Sequence, residues 1–243
     1  MDKSFPEYKD HTSQFYKNLN KLFVIIGYGS FRSNIKRELI TSINTDVCPY
    51  CNATYIRYHR LNGKIKGELD HFHPKDIYPF LAISKYNLVP SCSYCNGIYG
   101  KHTKDSYKIH LVNPHTLSSS QGIIFRADLK VCALTSLKDL EENININVTS
   151  PDARLDVNKR IFNLEQIYQS HNNIAAEVYK KLKFFHSLTY FKSILNLFHI
   201  QSNFIENDAM RLLTGYYMSE KDFGKRPLSK FVYDLYMYNW NLI

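Results

Sequence analysis

Cys48-Pro-Tyr-Cys51, Leu69-Asp70-His71-Phe72-His73-Pro74-Lys75 and Asn87-Leu-Val-Pro-Ser-Cys92-Ser-Tyr-Cys95-Asn96 are the segments on which the reading of this chain turns. Two Cys-x-x-Cys units stand forty residues apart. Such a turn presents both sulfurs to one ion, and two of them complete the soft tetrahedral set that Zn²⁺ prefers. Four thiolates leave no open coordination position. The spacing therefore predicts a structural zinc site at Cys48, Cys51, Cys92 and Cys95, not a catalytic one. Neither unit opens a strand–helix–strand pattern, which argues against redox activity. A fifth cysteine, Cys132, is left over and reads as a buried structural thiol.

Outward from these segments, residues 46–110 form one block. Thr54–His59 reads as a strand, Leu61-Asn62-Gly63-Lys64 carries an Asn-Gly hairpin signal, and Ile65–Leu69 is the expected returning strand. Pro74 and Pro79 punctuate a loop. Asn87–Ser91 leads into the second cysteine pair, and Asn96–Lys104 is an expected short helix despite Gly97 and Gly100. Residues 48–110 hold nine Lys/Arg against four Asp/Glu, so about half of the net charge of +9 sits in a quarter of the chain.

The flanks read differently. Residues 1–45 are expected to be helical, with Phe15, Leu19, Leu22, Phe23 and Ile26 on one face. Gly27-Tyr28-Gly29 interrupts that pattern and lacks the spacing of a phosphate loop. Residues 111–149 read as a β-rich insert, because 122–126 and 144–148 alternate at period two. Residues 150–243 read as a helical domain. Ser150-Pro151-Asp152 is a start signal, Asn163 and Gln166 resemble a capping box, and helical signals recur at Glu206–Tyr217 and Leu228–Tyr238.

The Asp70-His71 pair follows an expected strand, precedes a proline-bounded loop and is framed by the cysteines. Asp70-His71, Asn87 and Asn96, wrapped by two Cys-x-x-Cys knuckles, resemble an HNH endonuclease of the ββα-metal type over residues 46–104. The resemblance implies an α+β chain: a zinc-stabilised ββα-metal unit embedded in a mainly helical protein. It implies that His71 is the general base, that Asp70 and Asn96 ligate a catalytic Mg²⁺ or Mn²⁺, and that Asn87 orders the loop around His71. Asn96 stands where the family name has its final His. The residue types suit phosphodiester hydrolysis. A histidine with a pKa near about 6.5 can take a proton from water at neutral pH, and hard oxygen ligands suit Mg²⁺. Lys75, Lys101 and Lys104 are candidate phosphate contacts, and His73 reads first as a satisfied structural histidine and second as a phosphate contact or an auxiliary ligand.

Composition sets the outer bounds. The 243 residues amount to one large domain or two small ones, at about 150 residues per domain. An apolar content of 44% excludes disorder, and no apolar run approaches the ~20 residues of a membrane span. No signal peptide is visible, so a cytoplasmic, reducing compartment is expected. Thirty-one basic against 22 acidic residues suit a polyanionic partner. The resemblance to ββα-metal nucleases implies that this partner is nucleic acid, with DNA favoured over RNA or tRNA. In size and layout the whole chain resembles the HNH nuclease subunit of Septu and retron-associated anti-phage defence systems. That implies an ABC-like ATPase partner, with the helical tail as its docking element. Two alternatives remain: a stand-alone restriction or homing nuclease, and a non-catalytic zinc-knuckle module that binds nucleic acid.

Overall fold

Strand β1 (Glu68–His71) pairs antiparallel with β2 (Leu88–Ser91), with Glu68 opposite Ser91 and His71 opposite Leu88. This comes from a computed structural model, which describes residues 6–30, 38–39, 42–43, 45–56, 68–117, 122–129, 136–184, 193 and 206–240. The Asn62-Gly63 turn, most of its two expected strands, and Cys132 lie outside the described residues. The partner of β1 within them is β2, reached across a loop of proline-bounded turns. Pro90 hides β2 in the sequence, because proline reads as a strand breaker. Among the described residues the ladder has two strands, and an edge of such a ladder needs no N–H donor, so it tolerates the proline.

β2 runs straight into the single turn α2 (Ser93–Asn96), whose N-cap is Cys92. The helix expected over Asn96–Lys104 is not formed. Gly97 is extended, and the chain then doubles back at Gly100, where a Cβ would lie 2.2 Å from the carbonyl oxygen of Cys95. Only glycine allows that approach. It brings the Lys101 N–H to the same carbonyl at 2.8 Å and starts Lys101 inward.

The amino-terminal helix departs from its expected face. Helix α1 (Gln14–Leu19) is capped by Ser13 and passes into a π-helical stretch, Asn20–Tyr28. Of these residues Tyr16 is buried, whereas Phe15, Leu22 and Ile26 are exposed. The wider i→i+5 turn rotates side chains away from the 3.6-residue period on which the expected stripe rests. Tyr28 instead packs on the small core of Leu39, Leu69 and Leu88.

The chain divides into two units, residues 1–118 with 154–162, and residues 119–153 with 163–243. The cysteine-bearing unit therefore takes helix α4 (Leu155–Ile161), which the sequence reading placed in the helical tail. Asn158 on α4 mimics a backbone partner: its Oδ1 accepts from Val112 N at 2.9 Å and its Nδ2 donates to Val112 O at 2.8 Å. Phe162, just beyond, stacks on Tyr50 with ring centroids 4.4 Å apart.

In the second unit, β3 (Ile124–Leu129) pairs antiparallel with β4 (Ile144–Thr149). Helix α3 (Leu137–Asn143) lies between them and is closed by a capping box of Ser136 and Asp139, a signal the sequence reading passed over. Asn163 forms no cap on α5 (Leu164–Gln169); it sits at φ +50° and turns the chain. Helices α6 (Asn172–Phe184), α7 (Glu206–Thr214) and α8 (Ser229–Trp240) follow. The unit's centre is a ring cluster of Phe125, Tyr168 and Phe231, all fully buried. Asp234 secures it by accepting from Phe125 N at 3.0 Å.

Candidate metal centre and catalytic cavity

The first unit carries two polar centres. Cys48, Cys51, Cys92 and Cys95 are all buried, and their Sγ atoms lie within 4.8 Å of one another. Tight local turns place them. Asn52 N donates to Cys48 O at 2.8 Å with Asn52 at φ +49°, and Cys48 N donates to Thr54 O at 2.9 Å. Backbone N–H groups reach two of the sulfurs, Ala53 N to Cys51 and Cys95 N to Cys92, each at 3.5 Å. Zn–S bonds of about 2.3 Å in a tetrahedron set sulfurs about 3.8 Å apart. The Cys51–Cys92 separation of 4.0 Å is close to that spacing. Burial pushes the Cys48 thiol well up, so crowded thiolates need a cation to hold them ionised. The quartet fits structural Zn²⁺ in geometry and in donor chemistry.

The second centre is a cavity of about 640 Å³ whose walls include Tyr28, Glu68, Asp70, His71, Lys75 and Asn96. Strand β1 supplies Glu68, Asp70 and His71, and α2 supplies Asn96. Asp70 is buried and held on both oxygens. Tyr50 Oη donates to Oδ2 at 2.6 Å, and Lys101 Nζ donates to Oδ1 at 2.9 Å. Burial raises the Asp70 carboxyl, and the Lys101 charge works against that rise. Tyr50 belongs to the first cysteine turn, so one side chain joins the two centres.

His71 is buried with its Nε2 3.0 Å from the carbonyl of Ala82. A carbonyl only accepts, so Nε2 carries the proton and Nδ1 keeps the lone pair. Burial pulls the His71 pKa down from 6.5 to about 4, so the ring is neutral at neutral pH. The edge of Tyr28 packs on it, with centroids 4.5 Å apart. Asn87 lies under the following loop. Its Oδ1 accepts from His73 N at 2.7 Å, and its Nδ2 donates to the carbonyls of His73 and Leu81 at 3.0 and 3.1 Å. Asn96 Nδ2 donates to Glu68 Oε2 at 2.6 Å.

The cavity thus brings Asp70, His71 and Asn96 together, while Asn87 stands behind the loop and outside the lining. A hard divalent cation would take Asp70 and the Asn96 carbonyl oxygen as protein ligands, in competition with the Lys101 ammonium on Asp70 Oδ1.

The three candidate phosphate lysines separate. Lys101 is fully buried and donates to Asp70 and to His71 O at 2.6 Å, so it is no surface phosphate contact. The Gly100 fold-back is the physical reason. Lys104 is exposed, with its ammonium on the Gly100 carbonyl at 2.5 Å. Lys75 lines the cavity, its Nζ 5.7 Å from the centre of the Tyr28 ring. His73 shares a hydrogen bond with Ser106 Oγ at 2.7 Å and packs against Phe72 and Tyr78, away from the cavity lining. Sequence reasoning missed Tyr50, Glu68 and the inward Lys101. Glu68 alone left a signal, since it lies two residues before Asp70 on the same strand face.

Over 113 residues the chain is 36% identical to the Septu protein PtuB of Bacillus thuringiensis, which makes it a homologue of that protein across the matched stretch. The match covers 46% of this chain and 38% of the relative's length. No family model and no solved structure matches the chain. No helix among the described residues is long and apolar enough to cross a membrane.

Proposed function

We propose that the chain is a metal-dependent HNH endonuclease, acting in the cytoplasm as the effector of a Septu-type defence complex under an ATPase partner. The observation that carries the reading is the state of His71: a neutral ring, fixed by a backbone carbonyl through Nε2, beside a buried carboxylate in an open cavity. Likeness to the Septu protein PtuB supports the defence role and the partner. The net charge of +9 supports a nucleic acid substrate, and the resemblance to ββα-metal nucleases puts DNA first and RNA or tRNA second.

Nδ1 of His71 takes the proton of a water as its oxygen attacks phosphorus. The bond from phosphorus to the leaving oxygen breaks, and that oxygen is protonated from solvent. Asp70 and Asn96 would hold the divalent cation, which supplies charge neutralisation on the phosphate. Asn87 keeps the loop after His71 in one conformation, and Lys75, which lines the cavity, would meet the approaching phosphate. The helices of the second unit, together with the rest of the carboxy-terminal tail, are the proposed docking element for the ATPase.

One observation favours a second reading. The Lys101 ammonium already neutralises Asp70, as it would in a non-catalytic zinc-knuckle module. A single experiment separates the two. Wild type and His71→Ala are incubated with plasmid DNA and bulk tRNA, with Mg²⁺ or with EDTA, alone and with co-purifying partners. The nuclease reading expects Mg²⁺-dependent cutting that disappears in the variant while zinc content is unchanged. Cutting that survives His71→Ala would remove the role assigned to that residue. Binding without cutting under every condition would establish the binding module.

A further inference from the structure

Glu68 has no place in the mechanism above, yet it makes the shortest polar contact to Asn96. The two residues come from different elements. Glu68 opens β1, and Asn96 closes the turn that the second cysteine pair begins. An asparagine amide has two chemically opposite ends, a carbonyl oxygen that can ligate a cation and an NH₂ that repels one. Nothing in a one-turn helix sets which end faces the cavity. The carboxylate of Glu68 does, because it accepts only from the NH₂ end, at 2.6 Å. The amide oxygen, at the opposite end, is then left to accept elsewhere. Glu68 and Asp70 lie on the same side of β1, and both line the cavity with Asn96.

We propose that Glu68 is a positioning residue, whose carboxylate orients the Asn96 amide so that its oxygen faces the divalent cation. The proposal rests on the reading of Asp70 and Asn96 as cation ligands. The partners that orient metal ligands matter nearly as much as the ligands, and their loss typically lowers metal affinity about 10–100-fold. Here the essential feature is an acceptor at the right reach, not a negative charge. Glutamine keeps that acceptor and methionine of similar length does not.

The test is Mn²⁺ binding to the purified, zinc-loaded full chain, followed by electron paramagnetic resonance with no nucleic acid present. Glu68→Gln and Glu68→Met both remove the charge, so their comparison isolates the acceptor. The expected result is at least about a tenfold weaker Mn²⁺ affinity for Glu68→Met than for Glu68→Gln. Equal affinities in the two variants would overturn the proposal, whether both are weakened or neither is. Zinc content of each variant reports whether the cysteine centre is intact. Should Glu68→Met lose its zinc, Glu68→Ala takes its place in the same comparison with Glu68→Gln, with the same two outcomes. Asp70→Asn distinguishes the two levels of argument. If it leaves Mn²⁺ affinity unchanged, the cation site itself is misassigned; if it abolishes binding while the two Glu68 variants agree, only the orienting role falls.

Discussion

The cysteine quartet and the cavity lie in one unit of the same chain, yet they are built in opposite ways. Each half of the quartet is local: two sulfurs three residues apart on one turn, held by N–H groups of the same turn. The cavity is assembled at a distance. Asp70 depends on Tyr50, twenty residues before it, and on Lys101, thirty-one residues after it. Asn96 depends on Glu68, twenty-eight residues away. A locally built centre should fail all at once when its ion is lost, because each turn holds only its own pair of sulfurs. A centre assembled from distant pairs should weaken in steps, one partner at a time.

The largest expected effect is on the quartet. Structural zinc contributes about 10–16 kcal/mol in small zinc-finger peptides, so Cys95→Ser or stripping by a strong chelator should unfold the cysteine-bearing unit. Loss of amide dispersion confined to that unit would show it. A cooperative fold that survives with no bound metal would erase the contrast drawn here. Because Tyr50 joins the two centres, the Asp70 environment should be lost along with the zinc.

The cavity should respond by degrees. Lys101→Met leaves the buried Asp70 charge uncompensated, which should cost about 3–5 kcal/mol in urea denaturation without added Mg²⁺. Adding Asp70→Asn should restore most of that loss, since the neutral pair no longer carries a buried charge. A double variant as unstable as the single one would show that Lys101 acts through packing instead.

Acid should act on His71. Its folded pKa of about 4 lies below the ordinary 6.5, so between those values the unfolded chain binds the extra proton. Stability is therefore complete above pH 6.5, falls as the pH drops toward 4, and stops falling below it, a loss of about 3 kcal/mol. His71→Gln should remove that part of the slope, and an unchanged slope would place the titration elsewhere. Tyr50→Phe should be milder. It loses one hydrogen bond to a charged group, about 1.5–3 kcal/mol, while its ring stays stacked on Phe162. Lys104→Ala should change stability by no more than about 0.5 kcal/mol, because its side chain is exposed.

Residue by residue, the same contrast explains what could be read in advance. The α+β class and the cysteine cluster were legible, because periodicity and the Cys-x-x-Cys spacing are local signals. The capping box of Ser136 and Asp139 was equally local and was overlooked. Other errors had physical causes. Pro90 masked β2, the π-helical stretch rotated Leu22 and Ile26 outward, and Gly97, extended at the C-cap, stopped the expected helix before Gly100 folded the chain back. Lys101 reads as a surface charge in any one-dimensional view, since lysine is almost never fully buried unless paired.

The sequence by itself determined where four sulfurs would converge, because a turn of four residues leaves two i,i+3 thiols few other arrangements. It also placed Asp70, His71, Asn87 and Asn96 in an order that suggests chemistry. Only the tertiary structure decided which partner each of them has. Tyr50, Glu68 and Lys101 are chosen by proximity and by the cost of leaving a buried charge unpaired, and neither is written in the spacing of residues along a chain.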